Sequence, residues 1–396
     1  MSAPMRILMV ATYFHPIVGG AERQAFALAK ALLRRGHSVC FATCRFPGLA
    51  AFEIVEGIPI HRVIRPVYRG AVYAGSYLAS LMAFLVRWRR HYDLIHAHLL
   101  FLDAYAAGAI RAVLQKPVLA KAAGGGAFGD VSRLRRVPFS AWLRSGLRRV
   151  DRLVAPSREI LEELIGHGFS ATRIVEIPNG VDTEWFRPAA DREAIRRALG
   201  LHGRVVSFAG RLAPEKGLPV LLEAWERVTS TLSDARLLLF GTGPQEQMLR
   251  EQAQRLRCSD RVVFCGERPG LLPYFQASDL FVLPSLSEGM SNALLEAMAC
   301  GRACIASRVG ASGELITDGV NGLLVEPGDA DGLAVALLRA LADPEAAARL
   351  GSEARRTVEA GYSMTMVADR YVQLYQELIH RGDARVEELA CEVRCS

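Results

Sequence analysis

Short uninterrupted apolar runs recur along the chain. Each ends at a turn rich in glycine or proline, and most lead into a segment whose apolar positions fall three and four residues apart. One series lies at 5–12, 38–43, 93–98, 118–121, 153–157 and 174–177, and a second at 204–208, 237–240, 262–264 and 280–283. Continuous rather than alternating apolar strands belong to a parallel sheet covered on both faces, so the pattern predicts an α/β fold in two Rossmann-like domains. The first run, MRILMVAT, leads through Gly19-Gly20 to a helix over about 21–35 that stops at Gly36-His37, a βαβ opening. The turn-rich Pro178-Asn179-Gly180-Val181-Asp182, followed by Trp185-Phe186-Arg187-Pro188, predicts the exit from the first domain. The expected division is therefore 1–182, a linker over 183–202, a second domain over 203–363 and a polar tail over 381–396.

A length of 396 residues with half of them apolar agrees with two globular domains. The net charge of +7 favours partners that carry phosphate or an anionic membrane surface. No zinc-finger or basic-zipper pattern points to nucleic acid. The eight cysteines include pairs four residues apart, Cys40/Cys44, Cys300/Cys304 and Cys391/Cys395, but no histidine cluster completes a zinc site, so buried or exposed free thiols are expected. No signal peptide is read at the start, which places the chain in a reducing cytoplasm. The uncharged stretch 71–86 is shorter than the ~20 residues of a membrane span and predicts a core or interfacial helix. Over 133–152 seven arginines alternate with Leu134, Phe139, Trp142, Leu143 and Leu147. That is either a basic amphipathic surface for peripheral contact with anionic lipid at the inner face of a membrane, or an ordinary solvated face.

The chemistry concentrates in SLSEGMSNALLEAMACG, residues 285–301. Ser291 reads as an N-cap for a helix over 292–299 and Gly301 as its stop. The first backbone N–H groups of a helix lack internal partners, so Asn292, Ala293 and Leu294 offer an anion site. Glu288 before it and Glu296 within it would repel a phosphate at close range but accept strongly from hydroxyls. One ligand carrying both phosphate and sugar hydroxyls satisfies the arrangement. Arg211 and Lys216 stand on the loop that runs from Gly210 to Gly217, placed to hold a diphosphate. Gly241-Thr242-Gly243-Pro244 and Gly266-Glu267-Arg268 are further strand-to-helix turns expected along the same sheet edge. In the first half, His96 and His98 share one side of a strand, and His98 either faces a cleft or packs internally. Gly124-Gly125-Gly126 can pass close to a substrate or simply turn. The absence of G-x-G-x-x-G and of an acid at the end of the second strand disfavours a nicotinamide or flavin dinucleotide.

Taken in order, these segments resemble the retaining glycosyltransferases of the GT-B type, group 1 / family 4. The segments are Gly19-Gly20-Ala21-Glu22, 93–98, 178–182, Gly210 to Gly217, Gly241 to Pro244, and Glu288 seven residues before Glu296. The resemblance implies two Rossmann-like domains facing across a cleft, with a final helix at about 364–380 returning to the first. It implies a nucleotide-diphosphosugar as co-substrate, no other cofactor and no metal, and a saccharide or lipid-linked saccharide as acceptor. Arg211 and Lys216 would neutralise the leaving diphosphate and Glu288 hold the donor sugar. Glu296 would hold the ribose, Arg268 lie near the base, and Gly20, Gly210, Gly243 and Ser291 border the donor. Relatives often carry a histidine where Ala123 stands here. Lys121, His98 and the backbone of Gly124 and Gly125 are the substitutes on the acceptor side. A sugar-nucleotide 2-epimerase and a non-catalytic nucleotide-sugar-binding module are the rival readings.

Overall fold

The computed structural model describes residues 3–16, 19–70, 72–126, 129–130, 132–133 and 140–395, with side chains to 381. The chain forms two compact units, one from residues 1–179 together with 364–396, the other from 180–363.

The first unit holds eight strands: β1 (Arg6–Val10), β2 (Ser38–Cys44), β3 (Phe52–Val55), β4 (Ile58–Ile64), β5 (Leu94–Ala97), β6 (Val118–Lys121), β7 (Arg152–Ala155) and β8 (Ile174–Glu176). Their order is β3-β4-β2-β1-β5-β6-β7-β8, parallel throughout except for the β3–β4 pair. From β1 the chain builds outward through β2 and then returns to lay β5 on the other side. The switch point therefore falls between β1 and β5, and the loops after them open there. The β3–β4 hairpin is absent from the strand pattern read above. Its turn is Glu56-Gly57, both at positive φ, a two-residue hairpin turn whose second place suits glycine.

The helix Met364–Cys395 belongs to this first unit. Its Val367, Ala368, Tyr371, Leu374, Tyr375 and Leu378 share a core with β1 and with Ala25, Leu28 and Leu32 of the helix Gly20–Arg34. The segment 381–396, expected as a separate tail, continues this helix as far as Cys395.

The second unit carries β9 (Val205–Ala209), β10 (Arg236–Phe240), β11 (Val262–Gly266), β12 (Leu280–Leu283), β13 (Ala303–Ser307) and β14 (Leu323–Val325), all parallel in the order β11-β10-β9-β12-β13-β14. Its switch point falls between β9 and β12. The apolar runs are buried on both faces because helices cover both: Leu218–Thr231 contributes Leu221, Leu222 and Trp225 to the core, Asn292–Ala299 contributes Leu294, Leu295 and Met298.

The expected linker over 183–202 is instead folded onto this second unit. Its helix Arg192–Ala198 is held by Arg196, whose Nη1 donates to the Ala277 carbonyl at 2.8 Å, and by Arg192, paired with Asp279. Gln276 donates to the Arg187 carbonyl at 2.7 Å, and Arg355 to those of Thr183 and Phe186 at 2.9 and 2.6 Å. A segment whose carbonyls are satisfied by the half-buried Arg355 and by Gln276 is part of a domain, and composition alone gave no sign of it.

The stretch 71–86 lies mostly in the helix Val72–Trp88, which buries Tyr77, Leu78, Leu81, Phe84 and Leu85. Among the described residues no helix is long and apolar enough to cross a membrane. Of the basic stretch 133–152, residues 134–139 lie outside the described residues. The helix Ser140–Leu147 turns Leu143, Gly146 and Leu147 inward, against Tyr105 and Gly108. Its apolar side is thereby occupied within the unit, leaving Trp142 partly exposed. Cys44, Cys300 and Cys304 are buried free thiols, and Cys40 is half-buried.

Candidate active site

In the second unit, the loops after β9 and β12 meet at the switch point. They are tied by backbone: Leu286 N–H donates to the Glu215 carbonyl at 2.8 Å, and Gly217 sits so close to Pro284 that a Cβ there would lie 2.1 Å from the Pro284 oxygen. Lys216 and Glu288, assigned separate tasks by sequence reasoning, form one ion pair at 2.5 Å, with side chains 17% and 13% exposed. Ser285, fully buried, donates its hydroxyl to the same Glu288 oxygen at 3.1 Å. Arg211 extends into solvent and pairs with Glu215 at 2.6 Å. The cation and carboxylate are thus preorganised on a rigid seam, not on independent loops.

Ser291 caps the helix Asn292–Ala299, its hydroxyl accepting from Leu294 N–H at 3.3 Å. The cap fixes the direction of the N–H groups of Asn292 and Ala293, and Glu296 follows half-buried one turn on. Ser291→Ala is expected to remove about 1 kcal/mol of second-unit stability. Ser291→Asn retains the cap, so urea melts of the two variants should separate, and equal loss in both would show that the cap is not what matters.

Gly210 and Gly243 lie on the neighbouring loops. A Cβ on Gly243 would stand 2.3 Å from the Leu212 oxygen, and Gly241, at φ +123°, leaves 2.0 Å to the Gly210 oxygen. Gly241 N–H donates to the Gly266 carbonyl at 2.9 Å, carrying the chain of contacts to the turn with the exposed Arg268. The second-unit residues proposed from the sequence therefore lie on the loops after β9, β10, β11 and β12 and in the first turns of the helix Asn292–Ala299 that follows β12.

In the first unit, Gly20 opens the helix Gly20–Arg34, whose start is closed by Glu22 accepting from Gly19 N–H at 2.9 Å. His98, weighed above as facing a cleft or packing inside, is 3% exposed, its ring 4.0 Å from that of His96. Burial, with the Lys121 charge adding to it, holds His98 down at about 3, so the imidazole is neutral. His96 Nδ1 meets the Tyr375 hydroxyl at 2.8 Å. Lys121 is also buried, donating to Asn179 at 2.8 Å, and burial brings its ammonium down to about 7. Gly124 and Gly125 pass so close to Gly129 that a Cβ there would lie 2.6 Å from their backbone. Ala123 N–H donates to Asp130 at 2.7 Å.

The unfolded chain keeps the Lys121 proton up to about 10.5, whereas the fold releases it near 7. Between these values the unfolded state binds more protons, so this group makes stability rise with pH. The stability of wild type relative to Lys121→Met should therefore increase from pH 7 to 9.5. A difference that stays flat in urea melts across that range contradicts the depressed pKa.

Sequence reasoning missed one buried cluster at the first switch point. Asp103, wholly buried, accepts from the Thr12 hydroxyl at 3.1 Å and from the Tyr77 hydroxyl, and burial raises it to about 6. An acid inside the apolar run LLFLDAYAA was the available signal. Among the described residues no group of three or more His, Cys, Asp or Glu side chains is placed to hold a metal ion.

A fold of two parallel-sheet α/β units follows the GT-B plan. Residues 18–185 match the family described as Glycosyltransferase Family 4, and residues 203–343 that described as Glycosyl transferases group 1. The chain belongs to this glycosyltransferase family. It is 27% identical to the N-acetyl-alpha-D-glucosaminyl L-malate synthase of Bacillus anthracis, over 92% of this chain and 96% of that one. Among solved structures, sucrose-phosphate synthase from Thermosynechococcus elongatus superposes with a TM-score of 0.81 at 25% identity, over 95% of this chain and all of that one. Anabaena HepE in complex with UDP-glucose shares the fold, with a TM-score of 0.79 at 23% identity over 94% of this chain and all of the other. The protein is a glycosyltransferase, which removes the epimerase and the non-catalytic module as readings.

Proposed function

We propose that the enzyme transfers a sugar from a nucleotide-diphosphosugar to an acceptor hydroxyl with retention at the anomeric carbon and without a metal ion. The observation that carries this reading is the Lys216–Glu288 pair beside the capped start of Asn292–Ala299, at the switch point between β9 and β12. The diphosphate lies against the Asn292 and Ala293 N–H groups, the Leu294 N–H proposed from the sequence being taken by the Ser291 cap, with Lys216 and Arg211 balancing the charge that grows on its oxygen as the bond to the sugar breaks. The electron pair of that bond passes to the diphosphate oxygen. The acceptor oxygen bonds to the anomeric carbon from the same face, and its proton goes to the departing diphosphate. Glu288 accepts from hydroxyls of the donor sugar, Glu296 from those of the ribose, and Arg268 borders the base.

On the first unit, Gly20, Lys121, His98, Gly124 and Gly125 are the residues proposed to serve the acceptor and the approach to the donor. A neutral His98 and a Lys121 near its titration point suit hydrogen bonding to hydroxyls better than fixed charge. The acceptor is proposed to be a saccharide or lipid-linked saccharide in cell-surface polysaccharide or glycolipid synthesis, and the site of action the cytoplasm, where such donors are made. The relative named as a synthase of a glucosaminyl malate and the HepE complex with UDP-glucose support a sugar donor of this chemistry.

The test is thermal stabilisation of the full chain by UDP-, GDP-, ADP-, dTDP- and CMP-linked sugars in EDTA, since a ligand that binds only the folded state raises the midpoint. Stabilisation by one donor, lost in Glu296→Ala, supports the reading. No stabilisation of folded protein by any of them overturns it.

A further inference from the structure

The opposite edge of the second sheet holds a feature that donor binding does not use. At the amino ends of β9, β12 and β13 a cavity of about 480 Å³ is lined by five arginines, Arg192, Arg204, Arg302, Arg355 and Arg356, and by only two carboxylates, Asp279 and Glu359. Such a volume is in the range of small-molecule sites.

The two acids are already committed. Asp279 accepts from Arg192, from Arg196 at 3.3 Å and from Val205 N–H at 2.7 Å, and Glu359 pairs with Arg355 at 2.6 Å. Arg302 is half-buried and donates only to carbonyls, those of Cys300 and Ser278, both at 3.2 Å; among the described residues it has no carboxylate partner. The buried Arg192 Nε has no partner either. Burial first, and then the nearby Arg192 charge, lower the Arg302 pKa, with Asp279 among the groups that oppose them.

The cavity also adjoins the far end of the helix whose start serves the donor. Arg355 donates to the Ala299 carbonyl at 2.7 Å and Arg302 to that of Cys300, so guanidinium groups finish the helix where its carbonyls run out. Eight residues at 1.5 Å each put about 12 Å between the two ends. The two sites are therefore separate.

We infer that this cavity binds a small organic phosphate, its phosphate group held by Arg302 and Arg192 and its remainder filling the space beside Arg356. Forked guanidinium groups match phosphate geometry; Arg204 is paired with Asp234 and Arg356 with Glu353 outside the lining, so Arg302 is the lining arginine left without a carboxylate among the described residues, and its charge selects an anion.

The experiment is a thermal-shift titration of the full chain with inorganic phosphate, glycerol 3-phosphate and glucose 6-phosphate, in wild type, Arg302→Gln, Arg356→Gln and Lys216→Ala. An organic phosphate is expected to stabilise wild type and Lys216→Ala alike. Its affinity should fall about tenfold in Arg302→Gln, the loss of one charge-assisted contact. A smaller but measurable fall is expected in Arg356→Gln, where the side chain is 72% exposed and the fold is not at risk. Three results overturn the inference: no stabilisation of wild type by either organic phosphate; stabilisation lost in Lys216→Ala but kept in Arg302→Gln, which places the anion in the donor site; or inorganic phosphate binding as well as both esters. Should Arg302→Gln fail to fold, unchanged affinity in Arg356→Gln overturns it equally.

Discussion

Lys216→Ala is expected to lower turnover by about two to three orders of magnitude, the scale of losing one preorganised charge at a developing oxyanion. The side chain is anchored on the short helical turn Pro214–Lys216 and mostly enclosed, so its charge acts in a site where water screens little. Removal leaves Glu288 with Ser285 as its remaining donor among the contacts described, and some loss of stability accompanies the loss of rate. The two effects separate by kinetics. A leaving-group role lowers kcat and kcat/KM together while preference among donor sugars stays the same. Turnover within a few-fold of wild type, in protein with a normal melting midpoint, would falsify the assignment.

Gly217→Ala should do comparable damage for a different reason. The residue sits at φ +62°, a conformation costing an L-residue roughly 1–2 kcal/mol. The new Cβ would also press on the Pro284 oxygen from 2.1 Å, and Pro284 is backbone that cannot rotate away. Overpacking of this kind adds about 1–3 kcal/mol. Since the contact joins the loops after β9 and β12, relief by movement pulls Lys216 away from Glu288. A lower melting midpoint and loss of donor-induced stabilisation are expected together. A midpoint and donor affinity equal to wild type would show that the seam between these loops is not what positions the pair.

Most of the parallel strands were legible because they are buried on both faces, which leaves a run of apolar residues; β13 and β14 are absent from the strand pattern, β13 being a run of small residues, ACIAS, and β14 only three residues long. Val118–Lys121, Leu280–Leu283 and the helix Asn292–Ala299 fall where the pattern places them. The β3–β4 hairpin escaped because it lies at the sheet's edge, where Phe52 and Ile54 stand exposed and alternate with other residues. The segment 183–202 read as a linker from its turn residues. What fixes it to the second unit is long-range hydrogen bonding by Arg196, Gln276 and Arg355, which spacing cannot reveal.

The same division runs through the site. Loop, helix start and candidate residues could be read from local chemistry, since glycine, N-cap and charge act at short range. Their pairing could not. Lys216 meets Glu288 across 72 residues of sequence because β9 and β12 are neighbours in the sheet, and Lys121 loses its ordinary basicity through burial in the assembled unit, where its ammonium stands 5.9 Å from the Tyr371 ring of the last helix. Asp103 was overlooked for the converse reason: a single acid in an apolar helix shows its partners, Thr12 and Tyr77, only once three elements are assembled.

Stereochemistry tests the proposed mechanism most directly, and it needs no knowledge of the acceptor. With the donor chosen by thermal stabilisation, in EDTA and without acceptor, water replaces the acceptor hydroxyl, and proton NMR can follow the anomeric signal of the sugar released before it mutarotates. Retention without metal requires the first-formed sugar to keep the donor's anomeric configuration. Appearance of the opposite anomer first, or release of sugar only when a divalent cation is restored, contradicts it.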